Sequence, residues 1–400
     1  MSTTASPSSE LRSLPVAVDA MGADLGPGVV VEGVVVAARD LGIRSVIVGR
    51  EDEIRQCLRK FDFEGDARIS VRHAPDVITM DDSPSAAIRG KPNSSIRVAF
   101  ELVKNSEASS VVSPGNTGAM MAAGLYVSGT LPGIARPAIA SLIPKTGDKQ
   151  PTVLLDSGAN VDCNASQLVQ FALMGNCYAH SVLSCKSPRV GLLSNGSEKT
   201  KGNDITRSAA VMLSELLDIN FIGYVEGRDL PRDVADVVVC DGFVGNVALK
   251  AMEGSVELVF DSIKHYVEDS LRGKLGMWLA KPIFKSLFRD KLDPSAYGGA
   301  PLLGLNDIGI VCHGSSNARA ITNGIRVAKK FVDEELVLKM GRALNGIDLK
   351  SPGGYEEGLW DRMGRRFESG KKKRALDRAQ ESVVADQKSE TGKSETGKGE

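Results

Sequence analysis

The residues with the most chemical promise sit in short, glycine-bearing turns. Ser113-Pro-Gly-Asn-Thr-Gly-Ala-Met-Met-Ala-Ala-Gly124 follows an apolar run over 109–112. The spacing predicts a strand, a turn at Gly115, Asn116 and Gly118, and a small-residue helix over 119–126. A helix start ringed by glycines leaves backbone N–H groups free to close on an anion, and the helix dipole adds to their pull. The design recurs three times. The run 152–155 leads into Asp156-Ser-Gly-Ala-Asn-Val-Asp162, 236–240 into Asp241-Gly-Phe-Val-Gly-Asn246, and 308–312 into His313-Gly-Ser-Ser-Asn317. In an open parallel sheet the carboxyl ends of the strands share one edge, and ligands bind there. Four such turns on one edge predict a site for an anionic small molecule. Tight strand-to-helix connections use glycine in any case. Asn116, Asn160, Asn246 and Asn317 recurring beside the glycines favour ligand binding for the set.

Other side chains add to this pattern. His313 is one of four histidines, set at a predicted strand end; it either bonds loop backbone or faces an anion or developing oxyanion. Lys201, in Lys199-Thr-Lys-Gly-Asn203 just before a helix, suits a phosphate as a point charge, although most loop lysines are simply solvated. Lys250, Arg89, Lys91 and Arg136 are further cationic candidates. Cys163 has no activating base nearby in sequence, so a nucleophilic role is disfavoured. No His/Cys cluster or acidic triplet has metal-ligand spacing, so no metal is expected. GxGxxG and GxxxxGK[ST] are both missing, so a nucleotide fingerprint is lacking and no cofactor is expected.

The elements that must position these turns follow from the apolar periodicity. Strands over 15–19, 44–49 and 69–74 alternate with helices over 28–41 and 51–61, which predicts a doubly wound α/β sandwich with a mostly parallel sheet. Further helices are expected over 96–104, 164–183 and 204–217, with strands over 139–144, 189–193 and 219–225. The stretch 271–292 differs in kind. Leu271, Leu275, Trp278 and Leu279 form one apolar stripe, Pro282 breaks the run, and Ile283, Phe284, Leu287 and Phe288 form a second. Lys274, Lys281, Lys285, Arg289 and Lys291 ring both, as in a basic hairpin that docks on an anionic membrane or packs in a dimer interface.

The 400 residues are 42% hydrophobic and 25% charged, with a net charge of −1, so bulk charge favours neither nucleic acid nor general membrane attraction. Six cysteines without CxxC spacing read as reduced thiols in a cytosolic protein. Residues 1–14 lack an apolar signal core and are expected to be a disordered extension; no run is long enough to span a bilayer. The main domain is expected over 15–350. The charged tail over 351–400, with Lys-Ser-Glu-Thr-Gly repeated, is expected to be largely disordered.

Together these stretches resemble the acyl-ACP:phosphate acyltransferases of bacterial phospholipid synthesis, the PlsX family. The resemblance rests on Val16-Ala-Val-Asp-Ala-Met-Gly22, the 113–124 stretch, Leu155-Asp-Ser-Gly-Ala-Asn-Val-Asp162, Lys201-Gly-Asn203 and Asn220-Phe-Ile-Gly223. It continues through 236–246, Tyr297-Gly-Gly-Ala-Pro-Leu-Leu-Gly304 and His313-Gly-Ser-Ser316, and so spans 15–349 in order. Ala23 stands where the family has a second glycine. The resemblance implies a phosphotransacetylase and isopropylmalate dehydrogenase-like fold with a protruding amphipathic hairpin, in a homodimer peripheral to the inner face of the cell membrane. It implies transfer of a fatty acyl group from acyl carrier protein to inorganic phosphate, giving acyl phosphate for a downstream glycerol-3-phosphate acyltransferase. On this reading Asn116, Thr117, Gly118 and Ser315 hold phosphate, with Lys201 as counter-charge. Asn246 and His313 face the thioester oxygen, and Leu275, Trp278, Leu279 and Phe284 meet the bilayer. The alternatives are a phosphotransacetylase using soluble acyl-CoA and a non-catalytic membrane scaffold for acyl carrier protein.

Overall fold

The computed structural model describes residues 11–344, apart from 148, 269 and 288–293. Residues 1–10 of the expected extension, the 351–400 tail and positions 288–292 of the amphipathic stretch lie outside the described residues. Residues 11–13 make a helical turn from which Arg12 pairs with Glu335 at 3.0 Å.

The chain opens with β1 (Val16–Asp19), α1 (Pro27–Leu41), β2 (Ser45–Gly49), α2 (Glu51–Lys60) and β3 (Ile69–His73), as the periodicity predicts. Pro27 begins α1, where a missing N–H leaves no bond unmade, and Gly42 closes it at φ 66°. Then come α3 (Pro84–Gly90), α4 (Ser95–Lys104), β4 (Ser110–Ser113), α5 (Thr117–Val127), β5 (Ala138–Ile143) and β6 (Thr152–Leu155). The second half holds α6 (Ala165–Ser181), β7 (Arg189–Ser194), α7 (Asp204–Ser214), β8 (Asn220–Glu226), β9 (Val237–Val239), α8 (Gly242–Glu268) and α9 (Leu271–Leu287). β10 (Ala300–Leu303), β11 (Gly309–Val311), α10 (Ala318–Asp333) and α11 (Leu336–Leu344) complete the described chain.

One 11-stranded sheet runs in the order β3-β2-β1-β4-β11-β10-β5-β6-β9-β7-β8. β11 with β10, β10 with β5, and β5 with β6 are antiparallel, while the other neighbours pair in parallel. Three reversals in a row leave β6, β9, β7 and β8 running opposite to β1, β2, β3, β4 and β11. The four polar turns therefore do not share one edge. Those after β4 and β11 lie on one, and those after β6 and β9 on the other. Sequence reasoning also missed β10, whose Pro301 argues against a central strand. Pro301 is opposite Ile310, and pairing with β5 begins only at Leu302.

Alternation along the strands divides the core between the two faces. Val16, Val18, Ile47 and Val112 pack with α1, α6, α10 and α11, whereas Ala17, Val46, Val48 and Val111 pack with α3, α4 and α5. In the reversed half Leu154 and Val238 meet Ala248, Leu249 and Met252 of α8. Helices on both faces of a mostly parallel sheet make the three-layer α/β sandwich expected.

The expected hairpin within 271–292 is corrected. α9 continues through Pro282, and it packs on α8 rather than folding back at the proline. Proline removes one N–H and crowds the carbonyl a turn back, at a cost of about 3 kcal/mol in a helix interior. Leu275, Trp278 and Leu279 are 61, 69 and 65% exposed, and Phe284 is half-buried. Among the described residues no helix is long and apolar enough to cross a membrane.

At the amino ends of β6, β7 and β9 a charge cluster joins the connections. Lys145, buried, meets Asp236 at 2.9 Å and Asp233 at 3.4 Å, and Arg189 reaches both carboxylates at 2.9 and 2.5 Å. Burial pushes the Asp236 carboxyl up, but bonds from Arg189 and Lys145 outweigh it and hold it well below the usual carboxylate range. A depressed folded-state pKa stabilises above the unfolded value of about 3.9 and loses that contribution as pH falls through it. The stability gap between wild type and Asp236→Asn, read as urea midpoints, should therefore narrow from pH 6 to pH 3. Parallel profiles would exclude this linkage.

Candidate functional site

Asn116 is the N-cap of α5: its Oδ1 accepts the Ala119 N–H at 3.1 Å. Its Nδ2 donates to the carbonyls of Met80 at 3.2 Å and Thr79 at 3.5 Å. The amide thus ties the start of α5 to the chain at Thr79 and Met80. Thr117 and Gly118 hold the first two helical positions, whose N–H groups have no carbonyl partner within the helix. They face out of the carboxyl end of β4.

β11 lies beside β4, so the turn after it joins the same edge. There the Ser315 N–H donates to His313 Nδ1 at 3.2 Å, and the Ser315 hydroxyl lies 2.7 Å from the same atom. Because a backbone N–H only donates, neutral His313 carries its proton on Nε2, and the imidazole is exposed. The Ser315 hydroxyl and the His313 ring thus hold each other in this turn. Asn317 caps α10 through the Ala320 N–H at 2.9 Å. Two helix starts, α5 and α10, therefore point from neighbouring strands, and His313 stands in the turn that leads into α10. The turn after β1 closes on both. The Asp24 N–H donates to the Gly314 carbonyl at 2.9 Å, and a Cβ on Gly22 would lie 2.5 Å from Gly115 Cα. Lys91, weighed as a phosphate cation, instead bonds Asp82 at 2.6 Å and the Val77 carbonyl at 2.9 Å.

Asn246 and Lys201 lie on the opposite edge. Asp241 caps α8 through the Val244 N–H at 2.8 Å, and the helix begins at Gly242, so Asn246 stands in the helix rather than the turn. A Cβ on Gly245 would lie 1.9 Å from the Asp156 carbonyl, and one on Gly158 3.6 Å from Asn246 Cγ. The absence of a side chain at Gly245 lets α8 and the 156–160 turn meet. Asp156, fully buried, collects N–H bonds from Ile139, Gly158, Ala159 and Asn160 and the Asn160 amide, at 2.7–3.1 Å. Burial pushes that carboxyl up while these donors pull it down. Asn160 Nδ2 also bonds the Pro137 carbonyl at 2.8 Å, next to Arg136. The Lys201 side chain lies over Gly196, where a Cβ would meet its Cγ at 2.8 Å. Lys250 pairs with Glu253 at 3.7 Å.

Of the four recurring asparagines, only Asn246 has an amide with no hydrogen bond among the described residues. Cys163 is buried, and burial, then the charges of Asp156 and Asp241, push its thiol up to about 12, which removes it as a nucleophile. The reading from residue types missed the buried Asp19 and Asp156. Their signal was a strand closing on aspartate, Val-Ala-Val-Asp and Val-Leu-Leu-Asp.

A family profile described as "Fatty acid synthesis protein" matches residues 14–339. The phosphate acyltransferase of Geotalea uraniireducens is 50% identical over 329 residues, covering 82% of this chain and 94% of that protein. That of Geobacter sulfurreducens is 50% identical over 317 residues, covering 79% and 90%. The chain belongs to the phosphate acyltransferase family. Membership makes it a transferase that moves an acyl group to phosphate. Among solved structures, the EutD phosphotransacetylase from Staphylococcus aureus matches with a TM-score of 0.50 at 16% identity, over 81% of this chain and 98% of that one. A phosphotransacetylase from Streptococcus pyogenes matches with a TM-score of 0.50 at 17% identity, over 84% and 98%. At such identity the likeness is one of fold.

Proposed function

We propose that this phosphate acyltransferase takes a long-chain fatty acyl group from acyl carrier protein and transfers it to inorganic phosphate, supplying acyl phosphate for phospholipid synthesis. The supporting observation is the pair of helix starts on one sheet edge, with the N–H groups of Thr117 and Gly118 at one and His313 in the turn before the other. Helix starts favour anions. A phosphate oxygen attacks the thioester carbon, the carbonyl oxygen becomes an oxyanion facing His313, and the thiolate leaves with the sulfur–carbon electron pair. A thiol pKa of about 8.5 makes that departure easier than loss of an alkoxide. Phosphate brings its own nucleophilic oxygen, so holding it against the thioester is the main task.

Proline is tolerated at the first position of a helix, and Asn116 at φ −57° and ψ 118° already has the backbone that precedes one. Thr117→Pro thus deletes that N–H with the helix kept, and Thr117→Val, which loses only the hydroxyl, serves as its control. A lost bond to a charged group is worth about 1.5–3 kcal/mol, so the phosphate KM should rise roughly ten- to a hundredfold with an unchanged melting temperature. The assay follows hydroxylamine-trapped acyl phosphate from palmitoyl-ACP, with acetyl-CoA in parallel. An unchanged KM would remove the phosphate seat, and product from acetyl-CoA alone would make the chain a phosphotransacetylase.

Lys201 and Asn246 on the far edge would act at this seat across a contact between two copies. The exposed apolar positions Phe243, Val247, Val259 and Tyr266 of α8 support such a homodimer. Lys201→Ala and Asn246→Ala should each lower kcat on the order of a hundredfold, the usual scale for one oxyanion or charge partner. Mixing Lys201→Ala chains with Thr117→Pro chains, after dissociation and reassembly, should restore activity, because one site of each mixed pair keeps both residues. Mixtures no more active than their parents would place all these groups in one chain or exclude Lys201.

The exposed Leu275, Trp278 and Leu279, with Lys274 and Lys281 beside them, support contact of α9 with an anionic bilayer. Sedimentation with phosphatidylglycerol vesicles should fall at least fivefold in Trp278→Ala/Leu279→Ala, with about 1–3 kcal/mol lost for each buried side chain. Equal sedimentation would free α9 from that role.

A further inference from the structure

We propose that Asp19 is a positioning residue for phosphate, setting the backbone that leads into α5; the inference rests on the phosphate seat at Thr117 and Gly118. Asp19 ends β1 and is 2% exposed. Its Oδ2 accepts the Ser113 hydroxyl at 2.7 Å, and its Oδ1 accepts the Met21 N–H at 3.0 Å. Ser113 in turn accepts the Gly115 N–H at 3.1 Å.

A hydroxyl has one hydrogen and two lone pairs. With the hydrogen directed to Asp19, a lone pair of Ser113 is turned to Gly115, two residues before Thr117. The contact between Gly22 and Gly115 closes the same unit, since a Cβ on Gly22 would lie 2.7 Å from the Gly115 nitrogen as well. One carboxyl therefore fixes the turn after β1 directly and the turn after β4 through a hydroxyl. Its donors are the Ser113 hydroxyl and the Met21 N–H, so it braces the seat without taking the N–H groups that phosphate needs. Asp19 touches neither substrate nor reacting atom in this account.

The test is steady-state kinetics of the full chain with phosphate varied at saturating palmitoyl-ACP, then the reverse. In Asp19→Asn an NH2 replaces the oxygen that accepts from Ser113, and Ser113→Ala deletes the relay. Each should raise the phosphate KM about tenfold and leave the palmitoyl-ACP KM within about twofold, and the double variant should be no worse than either single one, as for members of one chain of contacts. A brace for the fold alone would move both KM values or neither. Effects that add in the double variant, or an unmoved phosphate KM in Ser113→Ala, would overturn the proposal. Ser113→Ala also decides if Asp19→Asn does not fold. If Thr117→Pro raises the phosphate KM while these variants do not, the seat stands and only the role of Asp19 fails. If Thr117→Pro leaves it unmoved, the seat fails first.

Discussion

The reversal of direction between β11 and β6 governs where chemistry can happen in this molecule. Three antiparallel pairings through β10 and β5 turn one continuous sheet into two halves with opposite polarity. Each half delivers its strand carboxyl ends, its glycine turns and its helix starts to its own edge. A wholly parallel sheet would have gathered Thr117, His313, Lys201 and Asn246 on one side. The observed sheet separates them into pairs, Thr117 and His313 on one edge and Lys201 and Asn246 on the other.

Both edges are built on the same physical device. A strand ends in a buried aspartate, Asp19 on one edge and Asp156 on the other, and that carboxylate gathers the N–H groups of the turn that follows. A buried charge without partners is expensive, whereas one with several donors is stable and rigid. The donors fix the turn, and the fixed turn holds its neighbour by close backbone contact: Gly22 against Gly115, and Gly245 against Asp156. Glycine is required at these points because no Cβ fits between two backbones. Flexible surface loops would leave the helix starts free to wander.

Much of this was legible in the sequence. The 3.6- and 2-residue periods place β1 to β3 and α1 to α2 within a residue or two, and the turn at Gly115 opens a helix as expected. What was not legible depends on pairing. Strand direction is decided by which strands become neighbours, and the proline-bearing β10, which sets that direction, does not look like a central strand. The asparagines illustrate a second limit. Asn116 and Asn317 have the residue type and position of ligands, yet each accepts from the third N–H of its helix, which is what a capping asparagine does. Only the folded structure separates them from Asn246, whose amide makes no hydrogen bond among the described residues. Pro282 shows a third: a proline signals a helix end, but α9 runs through it.

An enzyme whose nucleophile arrives as a substrate has little need of an activated side chain, and the chemistry available here agrees with that. Cys163 is buried with its thiol pushed up to about 12, and His313 Nδ1 is occupied by Ser315, so neither is set up to attack or to activate an attacker. What remains on the edge proposed for phosphate is donors: two helix N–H groups and one imidazole N–H. Donors stabilise charge and hold position, and transfer of an acyl group to phosphate demands both. Selectivity for this reaction over hydrolysis must then come from geometry, because water and phosphate compete for the same thioester carbon. A seat made of rigid backbone, held from beneath by a buried carboxylate, favours the nucleophile that carries several acceptor oxygens over the one that carries a single oxygen.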